Sequence, residues 1–507
     1  MSEVTSRIAA GYEFTGTALR LGAVVHDGAA DPAAQVRIPL AMLNRHGLIA
    51  GATGTGKTKT LQLIAEQLSE QGVAVFAADV KGDLSGLATP GDSNERIAAR
   101  SAEVGDSWQP SSYPTEFFTL GDAPDGIPLR ATMTSFGPVL LSKVLGLNET
   151  QESSLGLMFH WADQAGLPLL DLKDLRAVIT FLTSDTGKPE LKALGGVSTA
   201  TAGVILRELV GLENDGADVF FGEPEFDTAD LMRTTEDGRG VISCLELAGV
   251  QNRPTLFSTF LMWVLADLFD VLPEIGDADK PKLVFFLDEA HLLFHAASDA
   301  FLQAVAQTVR LIRSKGVGVF FVTQNPTDLP DEVLGQLGNR IQHGLRAFTP
   351  DDADALRKTV RTYPSTEDYD LEEALTALGI GEAIVTVMSE RGAPTPVAWT
   401  RLPAPRSRMA PSDDAVRQQA VTESALHARY AEAVDRDSAY ERLAARVNAP
   451  APVRDPKQRR VPTREDRAEP AQETLVTQIL DSGAFRSFLR SAGSALGRSM
   501  FGTRRRR

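Results

Sequence analysis

The chain runs from a short apolar segment into a glycine-rich loop at Gly47-Leu-Ile-Ala50-Gly51-Ala52-Thr53-Gly54-Thr55-Gly56-Lys57-Thr58. Gly51 to Thr58 fits G-x-x-x-x-G-K-[ST] and stands where that motif works, after a strand and at the start of a helix. Glycines let the backbone wrap a phosphate group so that successive N–H donors point inward, and the helix N-terminus adds a dipole that favours anions. Lys57 then reaches the β- and γ-phosphates of a nucleotide, and the Thr58 hydroxyl is a ligand for Mg²⁺. Downstream, Lys57–Glu70 carries Leu61, Ile64, Ala65 and Leu68 on one helical face. Val73–Ala78 is a second buried strand that ends at Asp79. Strand, loop, helix and strand in this order make a βαβ unit, and hence a parallel sheet with helices on its faces.

A phosphate loop needs an acidic partner for the metal. Lys282-Leu-Val-Phe-Phe-Leu287-Asp288-Glu289 supplies one, with an apolar run followed by two carboxylates. A central strand buried on both faces reads this way, and its C-terminal end is where such sheets place ligands. Asp288 is expected to hold Mg²⁺, and Glu289 to orient or deprotonate an attacking water. Gly318–Thr323 is the next strand and ends at Gln324-Asn325-Pro326, where the Gln324 amide either senses the γ-phosphate or caps a turn.

Arg310 and Arg313 share one face of the intervening helix. Either is a solvated charge or an arginine finger reaching a neighbouring subunit, and Arg340 and Arg346 are further candidates. Asp79-Val-Lys81-Gly-Asp83 faces the same edge, as part of the nucleotide site or as a plain strand-end turn. Cys244 lies in an apolar run and reads as core. His291 and His295 are spaced for one helix face but lack a third metal ligand.

Asp288-Glu289-Ala290-His291 spells DEAH, yet the second motor domain of helicases named for that box is missing. So are an LSGGQ-type signature and the NKxD of GTPases, which leaves ATP as the favoured nucleotide.

Elsewhere, short strands (Leu21–Val25, Val36–Ile38) fill residues 1–45. A mostly helical insertion is expected over 134–233, with Val139–Leu145, Glu149–Gln164, Leu172–Leu182 and Thr199–Leu209 as its amphipathic stretches. The α/β core is thereby split into 46–133 and 234–400, the second part carrying strands at Gly240–Leu247, Lys282–Leu287, Gly318–Thr323, Arg340–Arg346 and Glu382–Met388. Residues 401–507 form a basic C-terminal tail with a helix-like stretch at Asp413–Val447, a proline-rich linker and an amphipathic basic helix at 484–500.

With 51 Lys+Arg against 67 Asp+Glu the net charge is −16. It is unevenly spread: residues 1–400 carry −24 and residues 401–507 carry +8. The 43% hydrophobic content excludes a wholly disordered chain, and a single cysteine excludes a disulfide scaffold or a multi-cysteine zinc site. No apolar signal core opens the sequence, and Leu256–Leu272 contains Asp267 and Asp270. A soluble cytoplasmic protein is the expectation.

The motifs converge on one family. Ile38-Pro39-Leu40, Asn44-Arg-His46-Gly-Leu-Ile-Ala-Gly51, Asp79-Val-Lys-Gly-Asp83, Thr323-Gln324-Asn325-Pro326 and Asn339-Arg340-Ile341-Gln-His343 together resemble the HerA-like ATPases of the FtsK–HerA branch, in particular their compact bacterial members. The resemblance spans roughly residues 20–400. It implies a RecA-like motor core, commonly a hexameric ring around duplex DNA with ATP at subunit interfaces. It further implies nucleotide and Mg²⁺ binding by Lys57 and Thr58, a Walker B pair at Asp288 and Glu289, a sensor at Gln324 and a finger at Arg313, with Arg340 in reserve. Residues 1–45 are too few for the N-terminal barrel with which the family's namesake docks a nuclease. The rival to a DNA motor is an ATPase acting on a protein or envelope assembly, with the tail helix as its docking element; a third reading is a nucleotide-gated assembly switch.

Overall fold

The computed structural model describes residues 2–121, 126–247, 254–276, 278–294 and 298–448. The 484–500 tail helix, the linker before it and His295 lie outside the described residues. The chain divides into two compact units. Of the described residues, one comprises those up to 130 and from 224 to 432; the other comprises 131–223 and 433–448.

The first unit is built on a twelve-stranded sheet. Its strands are β1 (Ala18–His26), β2 (Ala29–Pro39), β3 (Gly47–Ala50), β4 (Ala74–Asp79), β5 (Thr115–Leu120), β6 (Ile127–Leu129), β7 (Ile242–Glu246), β8 (Leu283–Leu287), β9 (Val317–Thr323), β10 (Asn339–Gln342), β11 (Glu382–Thr386) and β12 (Ala398–Arg401). They lie in the order β2-β1-β12-β11-β10-β3-β9-β8-β4-β7-β5-β6. From β10 to β6 every neighbouring pair is parallel. From β2 to β10 every pair is antiparallel. The central strands β3, β4, β8 and β9 are buried along their whole length, as expected of parallel strands covered on both faces. The result is the RecA-like α/β core with a mainly parallel sheet.

Two strand pairs account for the placement of the site. Ala50 stands opposite Thr323, and Leu287 opposite Ala78. Because these strands are parallel, the segments that follow them emerge at one edge of the sheet. At the start of the chain, Asp27 and Gly28, both with positive φ (52° and 75°), close the β1–β2 hairpin, as a tight two-residue turn requires. Asp31 and Pro32 are absorbed within β2 at a register shift opposite Ala23 and Val24. The strand expected over Arg340–Arg346 stops at Gln342, because the backbone bends so that Ala52 N–H donates to the Gly344 carbonyl (2.9 Å).

The second unit is helical, with helices at Met133–Val144, Glu149–Gln164, Leu172–Thr183, Lys188–Ala193 and Thr199–Asn214. Asn148 and Asp171 cap two of these with reciprocal capping boxes. The helix Ala439–Asn448 packs against Leu172–Thr183, and the buried Asp174 carboxylate accepts from Tyr440 N–H (2.8 Å) and the Ser438 hydroxyl. The single helix-like stretch expected over Asp413–Val447 is instead three helices, Asp414–Glu423, Ala425–Tyr430 and Ala439–Asn448. Ser424 interrupts the first two by capping its own successor, and no helix is assigned to the residues between Tyr430 and Ala439.

Among the described residues no helix is long and apolar enough to cross a membrane. The Pro254–Val271 helix is instead a core element of the first unit, with Phe260, Trp263, Val264 and Leu268 buried.

Candidate functional site

The loop after β3 is held open by its glycines. Gly51, Gly54 and Gly56 have φ of 151°, 81° and 118°, values that glycine adopts without a Cβ penalty. At Gly51 an added Cβ would stand 2.5 Å from Cβ of His343. Protein partners hold only part of the loop backbone. Gly51 N–H donates to the Thr323 and Gln324 carbonyls (3.2 Å each), and Gly381 N–H donates to the Thr55 carbonyl (3.0 Å). The helix Lys57–Glu70 begins immediately after Gly56, so its first-turn amides have no intrahelical partner and face the loop. Thr58 is half-buried there. Lys57 is buried and folds back over the loop, donating from Nζ to the Gly51 carbonyl (2.7 Å) and the Ala52 carbonyl (3.3 Å). Burial pushes its ammonium pKa down, while the charges of Glu289 and Asp288 oppose that shift. Lys57 therefore lies within the field of both carboxylates.

Asp288 and Glu289 follow β8 and are both buried. Burial, reinforced by the neighbouring Glu289 charge, pushes the Asp288 carboxyl up to about 6. Glu289 moves the other way. Burial alone would raise it, but the hydrogen bond and charge of Lys81 and the charges of His291 and Lys57 together outweigh burial and hold it below its ordinary value. Its backbone is in the left-handed region (φ 47°), a conformation that costs a non-glycine residue about 1–3 kcal/mol and clusters at functional sites. Glu289 N–H donates to Asp288 Oδ1 (2.9 Å).

The turn after β4, which in sequence reads equally as site or scaffold, is a hydrogen-bonded turn that also reaches the acidic pair through Lys81. Asp79 is fully buried, and its carboxylate accepts from the N–H groups of Lys81 (3.1 Å), Gly82 (2.8 Å) and Leu84 (2.7 Å). Lys81, carried on that turn, reaches Glu289. Gln324 is exposed at the end of β9 beside the loop. Asn325 and Thr323 are tied by Asp328, which accepts from Asn325 N–H (2.9 Å) and the Thr323 hydroxyl (2.8 Å).

Arg313 is not brought to the loop of its own chain. It opens a short 3-10 turn before β9, near His46, which precedes β3, so it stands at the sheet edge opposite the loop. Burial, with the Arg313 and Arg45 charges adding, pushes the His46 imidazole down to about 4. Arg310 is exposed one turn earlier on the helix. Arg340 donates to backbone carbonyls of Leu334 and Thr362. Arg346 does approach the loop, donating from Nη2 to the Thr53 carbonyl (3.4 Å). Cys244 is buried in β7 as expected, and His291 sits 3.4 Å from Glu289 Oε2.

Two supports of the loop were given no role by the sequence, although His343 ends one of the motifs quoted for the family. His343, fully buried, links the helix to β11, with Nε2 2.8 Å from Thr60 Oγ1 and Nδ1 2.8 Å from the Glu382 carbonyl. Burial pushes its pKa down to about 4, so it is a neutral tether. The second support is a strap, residues 402–412, that descends the helix towards the loop. Glu66 accepts from Arg406 N–H (2.8 Å), Ser407 N–H (2.9 Å) and the Ser407 hydroxyl. Gln62 donates to Ser407 Oγ (2.6 Å) and the Arg408 carbonyl (2.9 Å), and Lys59 donates to the Met409 carbonyl (2.6 Å). Positions 59, 62 and 66 form one helical face, which these strap contacts cover.

A phosphate loop, an acidic pair on the second strand over and a RecA-like sheet between them define a P-loop NTPase fold. The family profile described as "Helicase HerA-like C-terminal" matches residues 25–507, and the chain belongs to that HerA-like family. It is 21% identical over 361 residues to the DNA double-strand break repair helicase HerA of Saccharolobus solfataricus, covering 69% of this chain and 63% of that protein. A HerA helicase of Sulfurisphaera tokodaii is 23% identical over 359 residues, covering 69% and 64%. The chain thus spans less than two thirds of the length of these relatives. Among solved structures, the unbound bacterial conjugative coupling protein TrwB superposes with a TM-score of 0.52 at 15% identity, covering 80% of this chain and 94% of that one. TrwB in complex with ADP and Mg²⁺ gives 0.50 at 16% identity, covering 79% and 100%. These likenesses show the fold.

Proposed function

We propose that the chain hydrolyses ATP at the edge formed by β3, β9, β8 and β4. What supports this is that Lys57, Asp288 and Glu289, drawn from segments far apart in sequence, follow parallel strands at one edge of the sheet, with both carboxylate charges acting on Lys57. The residues fit Mg²⁺: Asp288 is a buried carboxylate whose burial and acidic neighbour call for a cation, and Thr58 offers a hydroxyl at the helix start. Magnesium is held by one or two protein ligands plus phosphate oxygens and water; when bound it neutralises developing phosphate charge. The loop residues Gly51, Ala52, Thr53, Gly54, Thr55 and Gly56 cradle the phosphates, and Lys57 leaves its loop carbonyls for the β,γ-oxygens. Glu289 takes the proton of the attacking water. The water oxygen bonds to the γ-phosphorus, the bridging bond to the β-phosphate breaks, and its electron pair leaves with ADP. Gln324 faces the γ-phosphate from β9.

Membership of the HerA-like family supports a motor of the FtsK–HerA type that forms a ring, hexameric by resemblance, and translocates or remodels DNA. Arg313, at the far edge of its own sheet, reaches a site only from a neighbouring subunit. The net charge of −16 makes DNA engagement depend on locally concentrated basic groups.

The test is steady-state hydrolysis with and without duplex DNA. Lys57→Ala is expected to abolish turnover, and Glu289→Gln to bind ATP without hydrolysing it; full activity in either variant overturns the site. Stimulation by DNA that falls steeply with salt supports the motor. Stimulation by a protein or lipid partner and not by DNA refutes it.

A further inference from the structure

The two oxygens of the Glu289 carboxylate stand in different situations. Oε1 is paired with the Lys81 ammonium. Among the described residues, Oε2 is buried and has no hydrogen-bond partner, and the nearby His291 Nδ1, 3.4 Å away, likewise makes none. Buried polar atoms are rarely left unpaired, and one that is calls for a role. Lys81 does not reach Glu289 by chance flexibility. Its backbone is fixed by the Asp79 carboxylate, which gathers three N–H groups of the turn, those of Lys81, Gly82 and Leu84. In the sheet order β3-β9-β8-β4, Lys57 follows β3 and Lys81 follows β4, so the two lysines flank the carboxylate pair at the end of β8 from opposite sides. Glu289 in turn has a strained backbone (φ 47°) and gives its N–H to Asp288, which leaves the side chain few orientations.

Resting on the ATPase reading above, we propose that Lys81 is a positioning residue for hydrolysis: by occupying Oε1 of Glu289, it leaves Oε2 as the one oxygen offered to the attacking water. Lys81 acts through Glu289 and not on the nucleotide. Its removal lets the carboxylate rotate and share its oxygens, which lowers the fraction of bound ATP that meets a correctly aimed base. Nucleotide binding, which belongs to the loop on the far side of Asp288, is untouched. Arginine preserves both the charge and a donor to Oε1, whereas methionine preserves only the length.

The experiment uses the full chain with ATP and Mg²⁺, comparing Lys81→Met, Lys81→Arg, Glu289→Gln and the Lys81→Met/Glu289→Gln double variant. Lys81→Met is expected to lower kcat about 10- to 100-fold, the usual scale for a misplaced reacting group, while KM for ATP stays within about twofold. Lys81→Arg is expected to recover most of that loss. In the Glu289→Gln background, read on the small residual rate in single-turnover assays, Lys81→Met is expected to cost nothing further, because two residues acting as one unit are not additive. Unchanged kcat in Lys81→Met overturns the proposal. So does a loss confined to KM, which would make Lys81 a phosphate ligand, or a full additional loss in the double variant. Failure of arginine to recover activity counts against it equally. If instead Lys57→Ala and Glu289→Gln both turn over normally, the ATPase site itself is wrong; if those two are dead while Lys81→Met is normal, only the role of Lys81 falls.

Discussion

Replacing Glu66 by glutamine tests whether the 402–412 strap is fastened to the phosphate-loop helix as the structure describes. The carboxyl is 1% exposed and accepts two backbone N–H groups and a hydroxyl from the strap. Burial raises its pKa to about 6 from an ordinary 4.5, although the strap's donors pull the other way. The folded chain therefore holds more protons than the unfolded chain between those two values. The contribution to stability is fully present below pH 4.5 and is lost as pH rises through about 6. A shift of this size corresponds to about 2 kcal/mol. Glutamine keeps the shape but cannot titrate, and it turns one acceptor into a donor facing an N–H. The stability difference between wild type and Glu66→Gln, measured by denaturant unfolding at pH 4.5 and pH 7, should thus change by about 2 kcal/mol, with wild type relatively stronger in acid. Hydrogen exchange at Arg406 and Ser407 should report the same trend locally. A difference that stays constant to within about 0.5 kcal/mol across that range would refute the buried, strap-bound carboxylate.

Gly51→Ala should fold and yet fail to bind nucleotide, because its Cβ meets His343 at 2.5 Å and its φ of 151° suits only glycine; fluorescent-nucleotide titration at wild-type affinity would contradict this. Mixing Arg313→Ala subunits with Glu289→Gln subunits should restore part of the lost activity if Arg313 acts across an interface, and absence of recovery at any ratio counts against it. The same mixture made with Arg346→Ala should not recover, because Arg346 contacts the loop of its own chain.

Much of the candidate site was legible in the sequence because the chemistry proposed for it is written in local patterns. Gly51–Thr58 needs particular residue types at particular steps, and the Leu283–Leu287 run ahead of Asp288 announces a buried strand with its ligand end. The short strands β5, β6 and β12 were less legible, since three to six residues carry too little periodicity to separate strand from turn. The stretch Asp413–Val447 read as one helix because its composition is helix-favouring throughout, whereas Ser424 and the segment after Tyr430 interrupt it through local capping and packing that propensity does not see.

By itself, then, the sequence determined the phosphate loop, the acidic pair, the parallel α/β core and the helical insertion, all of which follow from periodicity and backbone requirements within a few residues. Tertiary structure alone decided that Lys81 grips Glu289, that His343 stands as a neutral post behind the loop, that Arg346 and not Arg313 reaches the loop of its own chain, and that residues 402–412 are clamped to the helix by Glu66. Each of these joins segments distant along the chain. Their meeting depends on strand order and register across the sheet, which no local pattern of residues encodes.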